Sequence, residues 1–353
     1  MGGGSESESL ADKAVDMLGV SPGQVIWIWA STHSLDLIQA LAFRIRERGA
    51  FWTLRLSMEG LLRRVGQHVP EAYLGLIPEH ELRWLDDIDA ILEIRDHGGH
   101  KPDVPLSRRR AMAAEWIALI DEAARRGCRR LTVVNPTPAL ASAYGVPLGS
   151  LRQAYWQAVN VDDARLDWQQ EQLRARLAAT QTVHVTSSLG TDLRLQIVGR
   201  PVQVDSDNLP RGEVYVAPHE DSAEGVAVID TAFIRGSRVE RLRLTFAQGR
   251  VVEVDAPDPR GAASFRELLA ASSGDKDVIA EFAIGLNPGV TEPLGDVMLD
   301  EKIGGSVHIA IGENVAFGGR NRSNLHLDLV ILHPTVRLDG APVVAEGSLL
   351  LSS

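Results

Sequence analysis

Short apolar runs alternate with helical patterns through the first half of the chain. Consecutive apolar residues predict buried strands, whereas apolar residues three and four positions apart predict amphipathic helices. The predicted strands are residues 24–30, 51–56, 90–94 and 130–134, and the predicted helices are residues 34–48 and 108–126. Because strands separated by helices favour parallel pairing, we predict an N-terminal α/β layered domain with parallel strands.

The pattern changes near residue 180, after a mostly helical stretch at residues 151–179 that we expect to bridge two domains. Short strands with Gly, Asp or Asn turns follow, and Gln248-Gly249 is typical of a hairpin turn. The predicted strands are residues 183–185, 193–198, 213–217, 226–229, 241–246 and 251–254. We therefore predict a disordered tail over residues 1–12, an α/β domain over 13–180, and a mixed, β-rich α+β domain over 181–353.

Composition and charge narrow the possible functions. A length of 353 residues suggests two domains, and 44% hydrophobic residues is an ordinary globular composition. The net charge of -11 argues against a nucleic-acid partner. No run of 18 apolar residues exists, so we expect no membrane partner. Cys128 is the single cysteine and no signal-peptide pattern opens the sequence, so we expect a cytoplasmic protein without a cysteine-rich zinc site.

A histidine and an aspartate interrupt the apolar run NLHLDLVI at residues 324–331. Because side chains alternate along a strand, His326 and Asp328 project from the same face, roughly 6–7 Å apart. The apolar neighbours predict a buried strand, where an unpaired carboxylate would be costly. The pair can therefore bind one metal ion or two adjacent ions.

Three further segments place an acid or a histidine on or beside an apolar strand. His308 in VHIAIG and Glu281 in EFAIG each share a strand face with alanine and glycine, which leave room for a ligand. Glu220 lies in a dense polar loop directly after the strand at residues 213–217. Each residue alone has an ordinary structural explanation, such as a salt bridge or a satisfied core histidine. Together they favour one metal site, with ligands suited to zinc, cobalt, manganese or iron.

The same residues carry a resemblance to the aminopeptidase T family of metallopeptidases, which are often described as leucyl aminopeptidases. The matching motifs are APHEDSAEG, EFAIGLNPG, DEKIGGSVHIAIG and GGRNRSNLHLD, in the family's order. The resemblance implies two divalent metal ions, either zinc, cobalt or manganese, and a homodimer. It places the metal ligands at Glu220, Glu281, His308, His326 and Asp328.

Two more residues are candidates for the chemistry. The resemblance places Glu301 near a further acid of the family's metal site, where it would move a proton to the leaving amine. Arg320 lies near the ligand strand and is a candidate for binding a substrate carboxylate, although a solvated loop is the favoured alternative. The implied substrate is a short peptide or another small molecule.

One departure from the family pattern keeps other functions open. The peptidases have a tyrosine shortly after the histidine that matches His308, whereas this chain has Val315 and Ala316 there. It must therefore use another donor to stabilise the tetrahedral intermediate, or do without one.

The chain is also similar to 2,5-dihydroxypyridine dioxygenases, through EDSAEG and HLD. The resemblance implies that these enzymes hold one iron(II) through two histidines and one carboxylate. One of their histidine ligands matches the position of Glu281, where this chain has a glutamate instead. The leading prediction is a metal-dependent, aminopeptidase-like hydrolase of amide or peptide bonds. The alternatives are a mononuclear non-haem iron ring-cleaving dioxygenase and a catalytically inactive metal-binding protein.

Overall fold

The computed structural model describes residues 3–97, 104–234 and 236–351. The helices are α1 (Gly3–Leu18), α2 (Leu35–Glu47), α3 (Glu59–His68), α4 (Glu79–Trp84), α5 (Leu106–Arg125), α6 (Pro138–Tyr144), α7 (Leu148–Val159), α8 (Asp163–Ala178), α9 (Pro259–Ala270) and α10 (Val297–Asp300). The strands are β1 (Val25–Ser31), β2 (Phe51–Ser57), β3 (Ala90–Arg95), β4 (Arg129–Val134), β5 (Thr182–Thr186), β6 (Asp192–Gln196), β7 (Val202–Val204), β8 (Asn208–Leu209), β9 (Glu213–Val216), β10 (Glu224–Ile234), β11 (Ser237–Ala247), β12 (Arg250–Asp255), β13 (Ile279–Gly285), β14 (Val307–Gly312), β15 (His326–Ile331), β16 (Thr335–Leu338), β17 (Ala341–Ala345) and β18 (Ser348–Leu349).

Unit 1, one of two compact units, consists of Met1–Leu151 and Asp207–Leu209. It holds a parallel sheet in the order β2-β1-β3-β4-β8. The central strands are apolar on both faces, since Ile28 and Leu92 on one face are 0% exposed and Trp27 and Ile91 on the other are 1% exposed. A parallel sheet needs such strands because its crossover helices cover it on both sides. The predicted α/β domain with parallel strands is confirmed.

Unit 2 consists of Arg152–Ser206 and Pro210–Ser353 and contains two antiparallel sheets. One has eight strands in the order β12-β11-β10-β6-β5-β16-β17-β18, and the other has five in the order β15-β14-β13-β9-β7. A single cluster of buried apolar side chains includes members of both sheets and of α8 and α9. This arrangement confirms the predicted mixed, β-rich domain. The predicted hairpin is also present, since Gln248 and Gly249 join β11 to β12 with φ values of 49° and 77°.

The structure differs from the expected domain limits in two places. Residues 3–12 lie in α1 rather than in a disordered tail, because Leu10 and Ala11 are buried at 2% and 0% exposure. The boundary between the units falls after Leu151, inside α7, rather than near residue 180. The reason is that α8 packs Leu166 and Leu173 into the core of unit 2.

The predicted helical stretch at residues 151–179 is two helices rather than one. The side chain of Asp162 accepts a hydrogen bond from the backbone N–H of Arg165 and thereby caps the start of α8. No helix among residues 3–97, 104–234 and 236–351 combines the length and apolar character needed to cross a membrane.

Candidate metal centre

Four neighbouring strands of the five-stranded sheet in unit 2 present acids, imidazoles and small residues on one face. The opposite face is apolar and lies in the core, because side chains alternate along each strand. The polar face carries Glu213 and Tyr215 on β9, Glu281, Ala283 and Gly285 on β13, His308, Ala310 and Gly312 on β14, and His326 and Asp328 on β15.

Small residues between the polar ones allow the ligand candidates to approach each other. Ala310 pairs with Glu281 on one side and with Asp328 on the other. Ala283 likewise lies between Tyr215 and His308. Larger side chains at these two alanines would occupy the space between the polar groups, so the register lets the acids and imidazoles approach one another.

Glu281, His308 and Asp328 form one group of possible metal ligands, with one ligand atom from each residue lying within 4.8 Å of the others. His326 adjoins this group. Its Nε2 lies 3.2 Å from Asp328 Oδ1 and 3.4 Å from Glu281 Oε2. Two imidazole nitrogens and two carboxylates in this arrangement match the ligand chemistry of zinc, cobalt, manganese and iron.

Backbone carbonyls orient both imidazole rings. His308 Nδ1 lies 3.2 Å from the carbonyl oxygen of Glu301, and His326 Nδ1 lies 2.7 Å from that of Glu313. A carbonyl oxygen only accepts hydrogen bonds, so each Nδ1 is the protonated, donating nitrogen. When the ring is neutral, Nε2 therefore keeps its lone pair for a metal ion, as in many protein metal sites.

A second group of possible ligands consists of Glu213, Glu301 and His308. His308 Nε2 lies 3.5 Å from Glu213 Oε2, a buried oxygen that has no hydrogen-bond partner. Such an orphaned carboxylate oxygen is costly in a protein interior unless a cation or a proton satisfies it. The residues of the site therefore fit a bound cation.

Lys302 brings a fixed positive charge to this second group. Its Nζ lies 2.9 Å from Glu213 Oε1, 2.6 Å from Glu301 Oε1 and 3.1 Å from Asp205 Oδ2. The residue has no exposed surface. Burial alone would lower the pKa of Lys302, but the surrounding carboxylates, beginning with Asp205, raise it well above its ordinary value.

Burial and neighbouring charges shift the pKa values of His308 and Glu281 in opposite directions. Burial alone would lower the pKa of His308, but its hydrogen bond with Glu281 and the nearby carboxylates raise that pKa to about 10. Burial favours a raised pKa for Glu281, yet hydrogen bonds from His308 and His326 lower it below its usual value. Burial and the charge of Glu301 raise the pKa of Glu213 well above its usual value. Without a metal ion, protons on the imidazoles thus supply the positive charge.

Glu220 and Arg320 lie in a different environment from these two groups. Glu220 forms an ion pair with Arg200, and its Oε1 accepts a hydrogen bond of 2.7 Å from the backbone N–H of Arg320. Both residues line a surface depression with His219 and Asp221, and the Arg320 side chain is exposed. Within the described part of the chain, neither ligand group includes Glu220.

Sequence reasoning missed Glu213, Lys302 and Tyr215. The sequence GEVYV indicates Glu213, because the acid alternates with buried valines along the strand. His326 alternates with leucines in the same way. Tyr215 shares that face, and its ring contacts Phe317 edge-on at 5.4 Å between centroids, while Phe317 contacts His326 at 5.3 Å. Only the fold reveals these contacts, because they join segments that are distant in sequence.

Comparisons with known proteins agree with this fold. The family model described as thermophilic metalloprotease (M29) matches residues 6–348. Aminopeptidase T from Thermus aquaticus is 25% identical, over 94% of this chain and 93% of its own length. The structure of wild-type AmpT from Thermus thermophilus gives a TM-score of 0.81 at 24% identity, covering 98% of this chain and 99% of that one. The structure of the 2,5-dihydroxypyridine dioxygenase from Pseudomonas putida gives a TM-score of 0.71 at 16% identity, covering 100% of this chain and 99% of that one.

Proposed function

The chain belongs to the thermophilic metalloprotease family M29, as its motifs predict, and on that premise we propose that it removes amino-terminal residues from short peptides. Family membership makes it a metallohydrolase. The observation that carries the proposal is the approach of two Nε2 atoms and two carboxylates, at 3.2–3.4 Å, on one face of a buried sheet. This geometry supports a single reactive centre rather than four separate structural pairs.

The proposed metal ligands are Glu281, His308, His326 and Asp328, together with Glu220, which the motifs imply and which the structure pairs with Arg200. Their mixture of imidazole and carboxylate suits zinc, cobalt or manganese. A divalent cation at such a site lowers the pKa of water and polarises a substrate carbonyl. The chain itself fixes both rings through Glu301 and Glu313 carbonyls, and the buried apolar face beneath them keeps the strands in register.

Glu301 is the proposed proton carrier. Its carboxylate lies beside the ligand set, and 13% of its side chain remains exposed. Burial raises the pKa of Glu301 above its usual value, with a contribution from the charge of Asp328, while the ammonium of Lys302 acts in the opposite direction. A carboxyl group with a raised pKa can take a proton from the attacking water and deliver it to the leaving amine near neutral pH.

Tyr215 is the proposed donor that replaces the tyrosine missing after His308. It projects from the same face as the ligands, in the cross-strand row that contains Ala283 and His308. Its phenol would donate a hydrogen bond to the oxyanion that forms during attack.

A second candidate function, oxygenation of a hydroxylated pyridine ring, has one observation in its favour. His308, His326 and Asp328 together supply the two imidazoles and one carboxylate that non-haem iron(II) oxygenases use. Glu281 adds a second carboxylate that hydrogen-bonds to His308, and this addition favours the hydrolase. The homodimer and the cytoplasmic location remain predictions.

The test is hydrolysis of a short peptide that has either a free or an acetylated amino terminus. The protein is loaded in turn with zinc, cobalt and manganese. An aminopeptidase releases the first residue only from the free peptide. If neither peptide is cleaved, while the iron(II)-loaded protein consumes oxygen with a dihydroxypyridine, the second function replaces the first.

A further inference from the structure

We infer that unit 1 binds a small aromatic carboxylate in a cavity between its parallel sheet and the helices α3 and α5. The cavity has a volume of about 440 Å³. Small-molecule sites in proteins usually measure about 300–1,000 Å³. All the residues that line the cavity belong to unit 1, whereas the metal-ligand candidates belong to unit 2. The inference is therefore independent of the proposed peptidase function.

The cavity lies where the strand order of the parallel sheet reverses. From β1 the chain adds β2 on one side, and it then adds β3 and β4 on the other. Residues near the carboxyl ends of the first three strands line the cavity, among them Ala30, Ser57 and Ile94. Open parallel sheets bind their ligands at the carboxyl ends of the strands where the order reverses. The position of the cavity thus favours a binding site.

Two indole rings give the cavity its aromatic character. Trp29 pairs with Arg55 on β2 and with Glu93 on β3, so these three side chains form a row on one face of the sheet. Trp116 on α5 lines the same cavity. The guanidinium of Arg55 lies 5.4 Å from the centre of the Trp29 ring, and that of Arg130 lies 5.3 Å from the centre of the Trp116 ring. Rings positioned in this way suit a flat, aromatic ligand.

The acids that line the cavity each have an arginine partner. Glu93 Oε2 lies 2.7 Å from a guanidinium nitrogen of Arg130. Glu115 forms an ion pair with Arg55, which also holds Glu81 at 2.9 Å. A cationic ligand would have to break one of these ion pairs to reach a carboxylate. The arrangement therefore disfavours a cation in the cavity.

Two hydrogen-bond donors of the cavity wall lack an acceptor. They are Nε1 of Trp29, a residue that is 5% exposed, and Nε of Arg109. Both atoms are buried, and neither has a hydrogen-bond partner in the part of the chain that the structure describes. A buried donor without an acceptor costs free energy, and the cost is larger for a charged group. A carboxylate is the strongest partner for a guanidinium, so an anionic ligand would relieve this cost.

The cationic and aromatic parts of the cavity are separated along α5. This helix connects the carboxyl end of β3 to the start of β4, so its first turn lies at the carboxyl edge of the strands. Arg109 is near that edge, and Trp116 follows seven residues later, about 10 Å along the helix. His97 lines the cavity just after β3, and its Nδ1 lies 2.7 Å from Asp96 Oδ1, which leaves Nε2 for a ligand. A molecule with a carboxylate at one end and a ring at the other matches this division.

The experiment is isothermal titration calorimetry of the full-length chain with indole-3-acetate, before and after chelation of metal. We expect one molecule per chain with a Kd of about 10 µM to 1 mM in both states. Indole lacks the carboxylate and should bind at least about tenfold more weakly. Equal binding of the two compounds, or no binding of indole-3-acetate at millimolar concentration, would overturn the inference. Binding that is lost on chelation would place the carboxylate on the metal ion and would also overturn it.

L-Tryptophan tests whether the aromatic carboxylate is an amino acid. It adds an ammonium group next to the carboxylate and therefore close to the guanidinium of Arg109. We expect L-tryptophan to bind more weakly than indole-3-acetate, because the acids of the cavity are already paired. Tighter binding of L-tryptophan would overturn the conclusion that these acids are unavailable and would identify the aromatic carboxylate as an amino acid.

Two variants assign the binding to this cavity. Arg109→Gln removes the cation and should weaken the binding of indole-3-acetate by at least about tenfold. Arg110→Gln, at an exposed position outside the cavity, is the matched control and should keep the Kd within about threefold of the wild type. Trp29→Phe keeps an aromatic ring without the Nε1 donor, and should weaken the binding by about three- to tenfold. Unchanged binding in Arg109→Gln would overturn the inference, and this variant decides even if Trp29→Phe does not fold.

Discussion

His308 and Glu281 face each other across paired strands, with Nε2 of the imidazole 3.3 Å from Oε1 of the carboxylate. The contact is diagonal, because His308 pairs with Ala283 and Glu281 pairs with Ala310. It exists only in this strand register. A shift of either strand by one residue would turn its polar side chain into the apolar core and would bring Phe282 or Ile309 to the site in its place.

The first prediction concerns the ligands themselves. Glu281→Gln removes the charge of a carboxylate shared by His308 and His326, so metal affinity should fall by at least about 100-fold. Calorimetric titration with manganese measures the change. Glu253→Gln, at an exposed position of β12, is the matched control, and its metal affinity should stay within about threefold of the wild type. Equal losses in the two variants would contradict this assignment.

The sequence was sufficient to predict the parts of this site that depend on alternation along one strand. His326 and Asp328 are two residues apart, and Glu281 and His308 are flanked by alanine and glycine on their own face. Such features lie within a single strand, so the pattern of polar and apolar positions in the sequence predicts them.

Contacts between distant segments could not be predicted in the same way. Glu213 and Glu220 are both acids near the same strand, and only the fold shows that Glu213 meets His308 whereas Glu220 meets Arg200. Lys302 follows Glu301 in an ordinary polar stretch, and its burial against Asp205 depends on how two separate loops approach each other. The same limit explains α1, where burial of Leu10 against neighbouring elements orders residues that look disordered by composition.

The second prediction is a dependence of metal affinity on pH. The pKa of His308 is raised to about 10, so the metal-free site holds a proton there at neutral pH. A metal ion bound by both imidazoles must displace that proton and a second one from His326, whose pKa is also raised, so affinity should rise with pH by about 100-fold for each unit between about pH 6 and 8. Titrations at several pH values measure the slope. His68→Gln, an exposed control, should leave it unchanged, whereas a flat profile in the wild type would contradict the raised pKa.

The third prediction concerns Tyr215. Tyr215→Phe removes the hydroxyl but keeps the ring that contacts Phe317, so metal content should not change. Loss of one oxyanion donor should reduce kcat by about 100-fold or more. Steady-state kinetics with a short peptide measure it. Tyr73→Phe is the control, because that tyrosine is 68% exposed and lies in unit 1. An unchanged kcat in Tyr215→Phe would exclude the phenol as a donor.

The fourth prediction concerns the stability of unit 1. Asp96 is buried and accepts hydrogen bonds from the hydroxyls of Ser31 and Ser34, at 2.8 and 2.5 Å. Asp96→Ala removes the acceptor of both hydroxyl O–H groups and should lower the free energy of unfolding by about 1–3 kcal/mol. Urea denaturation measures this change. Asp121→Ala, at an exposed position of α5, should change it by less than about 0.5 kcal/mol.

The cost of Asp96→Ala should also depend on pH. Burial alone would raise the pKa of Asp96, but hydrogen bonds from His97, Ser34 and Ser31 lower it below the usual value of an aspartate. A lowered pKa contributes stability above the unfolded-state value of about 4, and this contribution is lost as the pH falls through the folded-state value. The difference in the free energy of unfolding between Asp96→Ala and the wild type should therefore become smaller at acidic pH. A difference that grows below about pH 4 would contradict the lowered pKa.

The central claim is that the centre formed by Glu281, His308, His326 and Asp328 hydrolyses peptides by means of a bound divalent cation. Its most direct test is the rate of release of the first residue from a free-amino peptide, measured before chelation, after chelation, and after metal is restored. We predict that the release stops when the metal is removed and returns when zinc, cobalt or manganese is added. Release that continues undiminished after the metal has been removed would contradict the claim.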